Sequence, residues 1–276
     1  MSGSKAILVT GASSGIGAAC ALRLARAGHR VVGVSRSGTV PADPSGSLRP
    51  GCLRGGVLDL RDRAAVERAV AGVVNDLGGL DAVVNAAGVA IAGPLEDTPI
   101  ELIHGQFNTN VLGAVHLIQT ATPYLRRFAP SRFIHISSLA RNIALPYQSL
   151  YCASHAALGA LCESIRYELE PQGVRVITIE PGSVRTGLTR NRRTAAASET
   201  YRTAAHSALG INDLDEQGGI DPDRVARTVE QVLIARIPPD RRSVGHWQER
   251  IALPAQALLP GRWFQRIIAA RYRIAG

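Results

Sequence analysis

Apolar runs of strand length alternate with longer segments of helical period along the first two thirds of the chain. The pattern predicts strands at residues 6–9, 31–34, 56–58, 80–85, 133–137 and 174–179, and helices at 18–27 and 63–77. The run 30–34 is rich in valine and has no polar alternation, which is typical of a strand buried on both faces. This succession predicts an α/β fold with one parallel sheet covered by helices on both faces.

Two segments interrupt this pattern. Residues 36–55 are rich in proline and glycine, so we expect a loop there. Residues 187–220 lack a strong period, so we expect a mobile insertion after the sixth strand. No repeat or long linker divides the chain, and residues 1–276 are therefore predicted to form one domain.

The composition narrows the class of protein. With 276 residues, 46% hydrophobic and 19% charged, the chain suits a globular protein with a large core, and global disorder is excluded. Its four cysteines lack the spacing of a zinc site or redox pair, so we predict no metal site and a reducing, cytoplasmic location. Because the sequence shows no signal-peptide pattern and no apolar run of roughly 18 residues, we expect neither secretion by a standard signal nor a membrane span.

The chain carries a formal net charge of +9, and Lys5 is its only lysine. Much of the excess lies in residues 236–276, where eight arginines face only Asp240 and Glu249. A nucleic-acid-binding protein is expected to show a basic stripe with exposed aromatic residues, or a reading motif, and residues 1–235 show neither. We therefore expect no nucleic-acid partner and interpret the arginine excess mainly as a coding bias.

A glycine-rich turn, TGASSGIG at 10–17, connects the first strand to a helix rich in alanine and leucine. Glycine permits the tight turn, the approach of the backbone to a pyrophosphate, and close packing of the helix on the strand. The helix N-terminus offers free N–H groups to the phosphates. We predict a dinucleotide site here, with a purely structural turn as the alternative. The predicted contacts are Gly11, Ser13, Ser14, Gly15, Ile16 and Gly17.

The end of the second strand indicates which dinucleotide fits. An acidic residue there binds the free ribose 2′-hydroxyl, whereas a cation accepts a 2′-phosphate. The sequence has no acidic residue there and instead has Ser35, Arg36 and Ser37. We therefore predict that NADP(H) is preferred over NAD(H). A solvated surface role for Arg36 is the alternative.

Seven motifs occur in the order found in one enzyme family. They are TGASSGIG at 10–17, LD at 58–59, NAAG at 85–88, Asn110, ISS at 136–138, Tyr151, and PGSVRT at 181–186. In these motifs the chain resembles the short-chain dehydrogenase/reductase family. The segment 151–169 is most similar to the branch that contains 17β-hydroxysteroid and retinol dehydrogenases.

This resemblance implies a single-domain Rossmann fold, a doubly wound parallel sheet of about seven strands with helices on both faces. It also implies hydride transfer with NAD(P) and a homodimer or homotetramer. Asp59 would contact the adenine, residues 85–88 the adenosine ribose, and Thr186 the nicotinamide amide. The implied cofactor contacts after the glycine turn are Asp59, Leu60, Asn85, Ala86, Ala87, Gly88, Pro181, Gly182, Val184 and Thr186.

Hydride reduction of a carbonyl leaves negative charge on oxygen, so the site needs a hydrogen-bond donor and a proton source. The family pattern places Ser138 beside Tyr151, so Ser138 would orient the carbonyl and Tyr151 would act as the acid. Asn110 resembles the family asparagine that supports a water-mediated proton relay. The alternative for Asn110 is a buried side chain that satisfies a helix kink.

His155 departs from the family pattern, which has a lysine four residues after the tyrosine. That lysine binds the nicotinamide ribose, and its fixed charge lowers the tyrosine pKa. Three explanations stay open: a working substitute, a mutated enzyme, or a non-redox role for the fold. If His155 carries the charge, reduction slows as the pH rises past an imidazole pKa near ~6.5, and His155→Lys raises and broadens activity.

An apolar loop between Ser138 and Tyr151 is expected to line the substrate pocket, with residues 187–220 as its lid. The predicted pocket residues are Leu139, Leu145, Tyr147 and Tyr201, with a place in the core as their alternative. They indicate a lipophilic ketone or alcohol such as a polyketide, terpenoid, steroid or retinoid.

The basic, aromatic tail 247–276 has two interpretations, peripheral contact with an anionic membrane or packing on the domain or a dimer partner.

Three functions are compatible with the sequence as a whole. The leading one is an NADP(H)-dependent ketoreductase. The others are a non-redox isomerase, cyclase or dehydratase, and a cofactor-binding regulator without chemistry.

Overall fold

Seven parallel strands form the central sheet in the computed structural model of the protein, which describes residues 3–274. Two further short strands, β5 and β8, pair with each other apart from this sheet. In chain order the strands are β1 (Ala6–Thr10), β2 (Arg30–Ser35), β3 (Leu53–Val57), β4 (Ala82–Asn85), β5 (Ile91–Ala92), β6 (Ser131–Ile136), β7 (Val174–Pro181), β8 (Arg193–Thr194) and β9 (Arg241–Val244).

Helices follow most of the strands. They are α1 (Gly15–Arg26), α2 (Arg63–Leu77), α3 (Ile100–Phe107), α4 (Gly113–Arg127), α5 (Ser149–Leu169), α6 (Glu199–Gln217), α7 (Pro222–Ile234), α8 (Trp247–Leu258) and α9 (Gly261–Arg271). The sheet order is β3-β2-β1-β4-β6-β7-β9. Strand succession reverses direction between β1 and β4, and the crevice at such a switch point is where doubly wound sheets bind ligands.

Two apolar clusters hold the layers together. On one face of the sheet α2, α4 and α5 bury residues such as Val70, Leu117 and Leu158. On the other face α1 and α7 bury residues such as Leu24 and Val229. The predicted fold class, a seven-stranded parallel sheet with helices on both faces, is therefore confirmed.

Two local predictions differ from the structure, and one strand of the sheet, β9, was not predicted. The third strand begins at Leu53, before the end of the predicted loop 36–55, because its backbone pairs with β2 along residues 31–35. The seventh strand, β9, lies within the basic C-terminal segment. The predicted insertion 187–220 contains the regular helix α6, and its lid role stays a prediction. Among the helices formed by residues 3–274, none is long and apolar enough to cross a membrane.

Candidate active site

The glycine-rich turn lies between β1 and the N-terminus of α1. Gly11 and Gly15 have φ values of +69° and +54°, in the left-handed region that favours glycine. A Cβ atom on Gly11 would lie 2.9 Å from the carbonyl oxygen of Ala86, and one on Gly17 would overlap the backbone of Gly11. The missing side chains thus leave a backbone cradle that fits a dinucleotide pyrophosphate.

The first turn of α1 is open beside this cradle. Ser13 and Ser14 are exposed, and Ser14, the N-cap residue, makes no side-chain cap hydrogen bond. Free N–H groups at a helix N-terminus bind anions. Ile16 is half-buried and packs against the apolar cluster under α1.

A hydrogen-bond network joins the turn to the segment after β4. The Thr10 hydroxyl donates to Asn85 Oδ1 at 2.8 Å and accepts from the N–H groups of Ala86 and Ala87 at 3.2 and 3.1 Å. Asn85 is buried, Ala86 and Ala87 are half-buried, and Gly88 is exposed. Thr10 had no predicted role, yet it holds the predicted ribose-binding segment against the glycine turn.

The ends of β2 and β3 lie side by side at the predicted adenosine end. The hydroxyl oxygens of Ser35 and Ser37 are 3.2 Å apart, and the Arg36 side chain is exposed. Asp59 pairs with Arg61 at 2.6 Å, and hydrogen bonds from that guanidinium hold the pKa of Asp59 below its usual range. Arg61, which no motif in the sequence marks, neutralises Asp59.

The side chains of Ser138 and Tyr151 lie within hydrogen-bonding reach of each other at the edge of the sheet where β6 ends. Ser138 follows β6, where its hydroxyl accepts a hydrogen bond from the Ala140 N–H at 3.1 Å, and Tyr151 lies in the first turn of α5. Burial raises the pKa of Tyr151 to about 12, against an opposing contribution from the Ser138 hydroxyl. Tyr151 is therefore a neutral phenol with a proton to donate at pH 7.

His155 lies one helical turn after Tyr151. Their ring centroids are 4.5 Å apart, with 62° between the planes. Burial lowers the pKa of His155 to about 4, so the imidazole is neutral at pH 7. A neutral imidazole carries no charge that could lower the pKa of Tyr151, and the role of His155 in place of the family lysine stays a prediction.

A second histidine, missed by sequence analysis, lies behind His155. His135 is buried on β6, with its ring 6.5 Å from that of His155. Its Nδ1 is 3.4 Å from Asn85 Nδ2, and its Nε2 has no hydrogen-bond partner within the described part of the chain. Burial lowers the pKa of His135 to about 3.

The register of the sheet aligns these polar residues. Thr10, Asn85 and His135 occupy partner positions on the adjacent strands β1, β4 and β6. A polar row therefore runs from the glycine turn to the imidazole of His155. The only signal for His135 in the sequence is a histidine between two apolar residues, Ile134 and Ile136.

Asn110 lies in a π-helical turn, residues 108–112, between α3 and α4. Its side chain accepts from the Val89 N–H at 2.9 Å and donates to the Val89 carbonyl at 3.0 Å. A longer contact of 3.3 Å reaches Ser154, whose hydroxyl donates to the Tyr151 carbonyl. Asn110 therefore fastens the segment after β4 to α5, and π-helical turns are frequent at functional sites.

The loop after β7 holds the residues expected near the nicotinamide. Pro181 and Val184 are buried, and Ser183 donates its N–H to Glu249 of α8 at 2.7 Å beside Gly182. Thr186 donates from its hydroxyl to Glu216 of α6 at 3.0 Å.

Glu216, which sequence analysis missed, fastens α6 to this loop. It also accepts from the N–H groups of Leu188 and Thr189, both at 2.7 Å. Burial raises its pKa, but the hydrogen bonds from Thr189, Thr186 and Leu188 outweigh burial and lower it overall. The start of the predicted lid is thus held by one carboxylate.

The predicted substrate residues lie on several elements. Leu139 is buried, whereas Leu145 is half-buried. Leu60, which was predicted to contact the cofactor, is also buried. Tyr147 has a positive φ of 58°, and its backbone carbonyl accepts a hydrogen bond from the Gly93 N–H at 2.8 Å. The Tyr201 hydroxyl donates to Glu96 at 2.6 Å, which fastens the start of α6.

Comparisons with a family model, with curated relatives and with solved structures all give short-chain dehydrogenases or reductases. A family model described as short chain dehydrogenase matches residues 5–197. The chain is 31% identical to a 3-ketodihydrosphingosine reductase of Bacteroides thetaiotaomicron, over 97% of this chain and 98% of the relative. It is 28% identical to Dehydrogenase/reductase SDR family member 7B of Bos taurus, over 97% of this chain and 81% of the relative. A solved short-chain dehydrogenase from Streptomyces avermitilis superposes with a TM-score of 0.78 at 28% identity, covering 92% of this chain and 93% of that one.

Proposed function

Because the chain belongs to the short-chain dehydrogenase/reductase family, we propose that it is an NADP(H)-dependent oxidoreductase that interconverts a ketone and a secondary alcohol on a lipophilic small molecule. The observation that carries this proposal is that Tyr151 and Ser138 are neighbours at the edge of the sheet where the parallel strands end, the same edge at which the glycine cradle follows β1. A proton source and a carbonyl-orienting hydroxyl beside a dinucleotide cradle are the parts that hydride reduction needs.

The residues present fit a nicotinamide dinucleotide. The turn 11–17 and the N-terminus of α1 bind the pyrophosphate, Thr10 keeps residues 85–87 in place for the ribose, and Thr186 receives the nicotinamide amide. When bound, the nicotinamide supplies or accepts the hydride at the carbonyl carbon. Ser35, Arg36 and Ser37 bind the 2′-phosphate, which favours NADP(H).

Tyr151 is the proposed proton donor. Ser138 donates a hydrogen bond to the substrate carbonyl and orients it, and the Tyr151 hydroxyl gives its proton to the oxygen as negative charge develops there. A phenol that holds its proton at neutral pH suits this step. The reverse reaction starts from the phenolate, which a pKa of about 12 leaves scarcely populated at neutral pH.

The role proposed for His155 differs from that of the lysine in the family pattern. Its neutral ring packs edge-on against Tyr151 and keeps the phenol in position, without lowering the phenol's pKa by charge. Asn110 supports the same helix through Ser154. His155 and Asn110 are therefore proposed as positioning residues, while Tyr151 and Ser138 touch the substrate.

The substrate class rests on the apolar loop 139–147 and on the relatives. The name of the Bacteroides relative denotes reduction of a keto group, which supports a ketone as the substrate here. Leu145 and Tyr147 are proposed to line the pocket, with Leu139 behind them and Tyr201 on the lid.

The test follows NADPH absorbance with a panel of lipophilic ketones. We expect consumption that Tyr151→Phe reduces at least about a hundredfold and Ser138→Ala reduces strongly, whereas Tyr167→Phe, a matched change at an exposed tyrosine, has no effect. Product formation without NADPH loss would instead indicate isomerase, cyclase or dehydratase chemistry. NADPH binding without turnover of any ketone would indicate a regulator.

A further inference from the structure

Helices α8 and α9 carry apolar stripes that face solvent. In α8 the stripe is Trp247, Ile251, Pro254 and Leu258, at the spacing of one helix face. In α9 the corresponding stripe is Trp263, Ile267 and Ala270. Trp247, Leu258 and Trp263 are 67%, 83% and 61% exposed. A helix of a globular domain normally turns such a stripe toward the core, so these two stripes indicate a surface that contacts something else.

Both helices are fixed to the domain by other side chains. Glu249 of α8 accepts the Ser183 N–H at 2.7 Å, and Gln256 donates to the Asn142 carbonyl at 2.7 Å. In α9 Phe264 is buried, and Arg271 pairs with Asp215 of α6 at 2.7 Å. The exposed stripes are therefore held outward by specific contacts on the opposite sides of the helices.

The charges around the stripes have one sign. Arg250, Arg262 and Arg266 are exposed, and the guanidinium of Arg266 lies 6.0 Å from the centre of the Trp263 ring. Glu249, the sole acidic residue in the sequence of the two helices, is turned inward onto Ser183 and the His246 N–H. Arginine and tryptophan beside an aliphatic stripe are the composition of helices that lie in an anionic membrane interface.

A second copy of the chain fits this surface less well. A two-fold contact between copies places the same patch against itself. The arginines of one copy would then pack against a patch that carries the same arginines, with no acidic residue from either helix to neutralise them. An anionic lipid surface supplies the complementary charge and receives the apolar stripes at once.

We propose that α8 and α9 form a peripheral membrane-binding surface, which takes anionic phospholipid headgroups on its arginines and inserts Trp247 and Trp263 among them. Such binding is shallow, because the apolar face of an interfacial helix enters only the boundary between headgroups and acyl chains.

This surface adjoins the candidate active site. Asn142, which receives Gln256, follows the turn that Ser138 begins, and Asp215 lies next to Glu216 of α6. A lipophilic substrate dissolved in the membrane would thus meet the protein on the side of the substrate loops. That last step rests on the proposed function, whereas membrane binding does not.

The experiment uses the two tryptophans of the chain, because both lie in this surface. The full-length protein is mixed with vesicles of phosphatidylcholine alone or with phosphatidylglycerol added, and binding is followed by sedimentation and by tryptophan emission. We expect binding and a blue shift with the anionic vesicles only, both reversed by high salt.

Charge-neutral variants test the arginines. Arg262→Gln with Arg266→Gln is expected to weaken binding about thirtyfold, since each cation near an anionic surface contributes roughly 1 kcal/mol. The matched control, Arg68→Gln with Arg236→Gln, changes two exposed arginines elsewhere and is expected to bind like the unchanged protein.

Lack of binding to anionic vesicles, or equal binding by the two double variants, would overturn the proposal. A blue shift without vesicles that grows with protein concentration would assign the surface to a second copy. NADPH consumption with a water-soluble ketone should be unchanged in Arg262→Gln with Arg266→Gln, so failure of membrane binding and failure of the proposed function are told apart.

Discussion

The imidazole of His155 lies edge-on against the phenol of Tyr151, with ring centroids 4.5 Å apart. A lysine ammonium at this position would lower the tyrosine pKa, whereas this imidazole is neutral at pH 7 because burial lowers its pKa to about 4. Tyr151 accordingly keeps its proton, with a pKa raised by burial to about 12. The pair is suited to giving a proton and poorly suited to taking one.

Replacing the imidazole by a cation should raise the rate of alcohol oxidation. In His155→Lys the charge lowers the Tyr151 pKa by about 1–3 units, so alcohol oxidation at pH 8 should rise at least about tenfold. The measurement is the initial rate of oxidation against pH, with His155→Gln as the neutral control. An oxidation profile that His155→Lys leaves unchanged would contradict the proposed electrostatics.

Cofactor preference should depend on Arg36. Removing one charge-assisted hydrogen bond to the 2′-phosphate in Arg36→Ala should raise the KM for NADPH about ten- to a hundredfold and leave that for NADH nearly unchanged. Arg54→Ala, an exposed arginine on β3, is the matched control. Equal effects on the two cofactors would show that Arg36 does not bind the phosphate.

The glycine cradle should tolerate no side chain. A Cβ on Gly17 overlaps the backbone of Gly11, so Gly17→Ala should lower the free energy of unfolding by about 1–3 kcal/mol and abolish NADPH binding. In α2 a Cβ on Gly72 meets no atom within 4 Å, so Gly72→Ala should be neutral or stabilising. Thermal unfolding with and without NADPH measures both effects.

Acid should destabilise the fold through His135 and His155, because both imidazoles have pKa values below the usual range. The unfolded chain binds protons on both imidazoles below about pH 6.5, whereas the folded pKa values are about 3 for His135 and about 4 for His155. The contribution of these two histidines to the free energy of unfolding is therefore fully present above pH 6.5, and it is lost as the pH drops toward 4.

At pH 5 the loss is on the order of 1–2 kcal/mol for each histidine. Urea unfolding at pH 5 and pH 7 should show a smaller difference in His135→Asn than in the unchanged protein. His206→Asn, an exposed position, should leave the difference as it was. The same pH dependence in both variants would contradict the burial account.

The sequence predicts those parts of the fold in which local pattern and burial agree. The helix predicted at 63–77 matches α2, because its apolar residues recur at the helical period and Gly78 ends it in the left-handed conformation. The strand β9 is not predictable in this way, because Arg241 and Arg242 are exposed at the edge of the sheet. The pairing of β9 with β7 forms the strand there.

In the candidate site too, residues in local motifs are predictable from the sequence, whereas residues brought together by the tertiary structure are not. The glycine turn, Ser138 and Tyr151 stand in recognisable local motifs, so the sequence locates them. Thr10 and His135 become neighbours of Asn85 only through the register of three strands, which no local pattern encodes. Glu216 reaches Thr186 across thirty residues, and the neutrality of His155 follows from tertiary burial.

The central claim is that Tyr151 donates the proton in ketone reduction as a neutral acid, without charge from His155. The most direct test is the single-turnover rate of ketone reduction by NADPH-loaded protein between about pH 6 and about pH 9. We predict a rate that is constant across this range, because neither Tyr151 nor His155 titrates there. A rate that falls with an apparent pKa between about 6 and about 7 would contradict the claim, because reduction would then require a protonated imidazole.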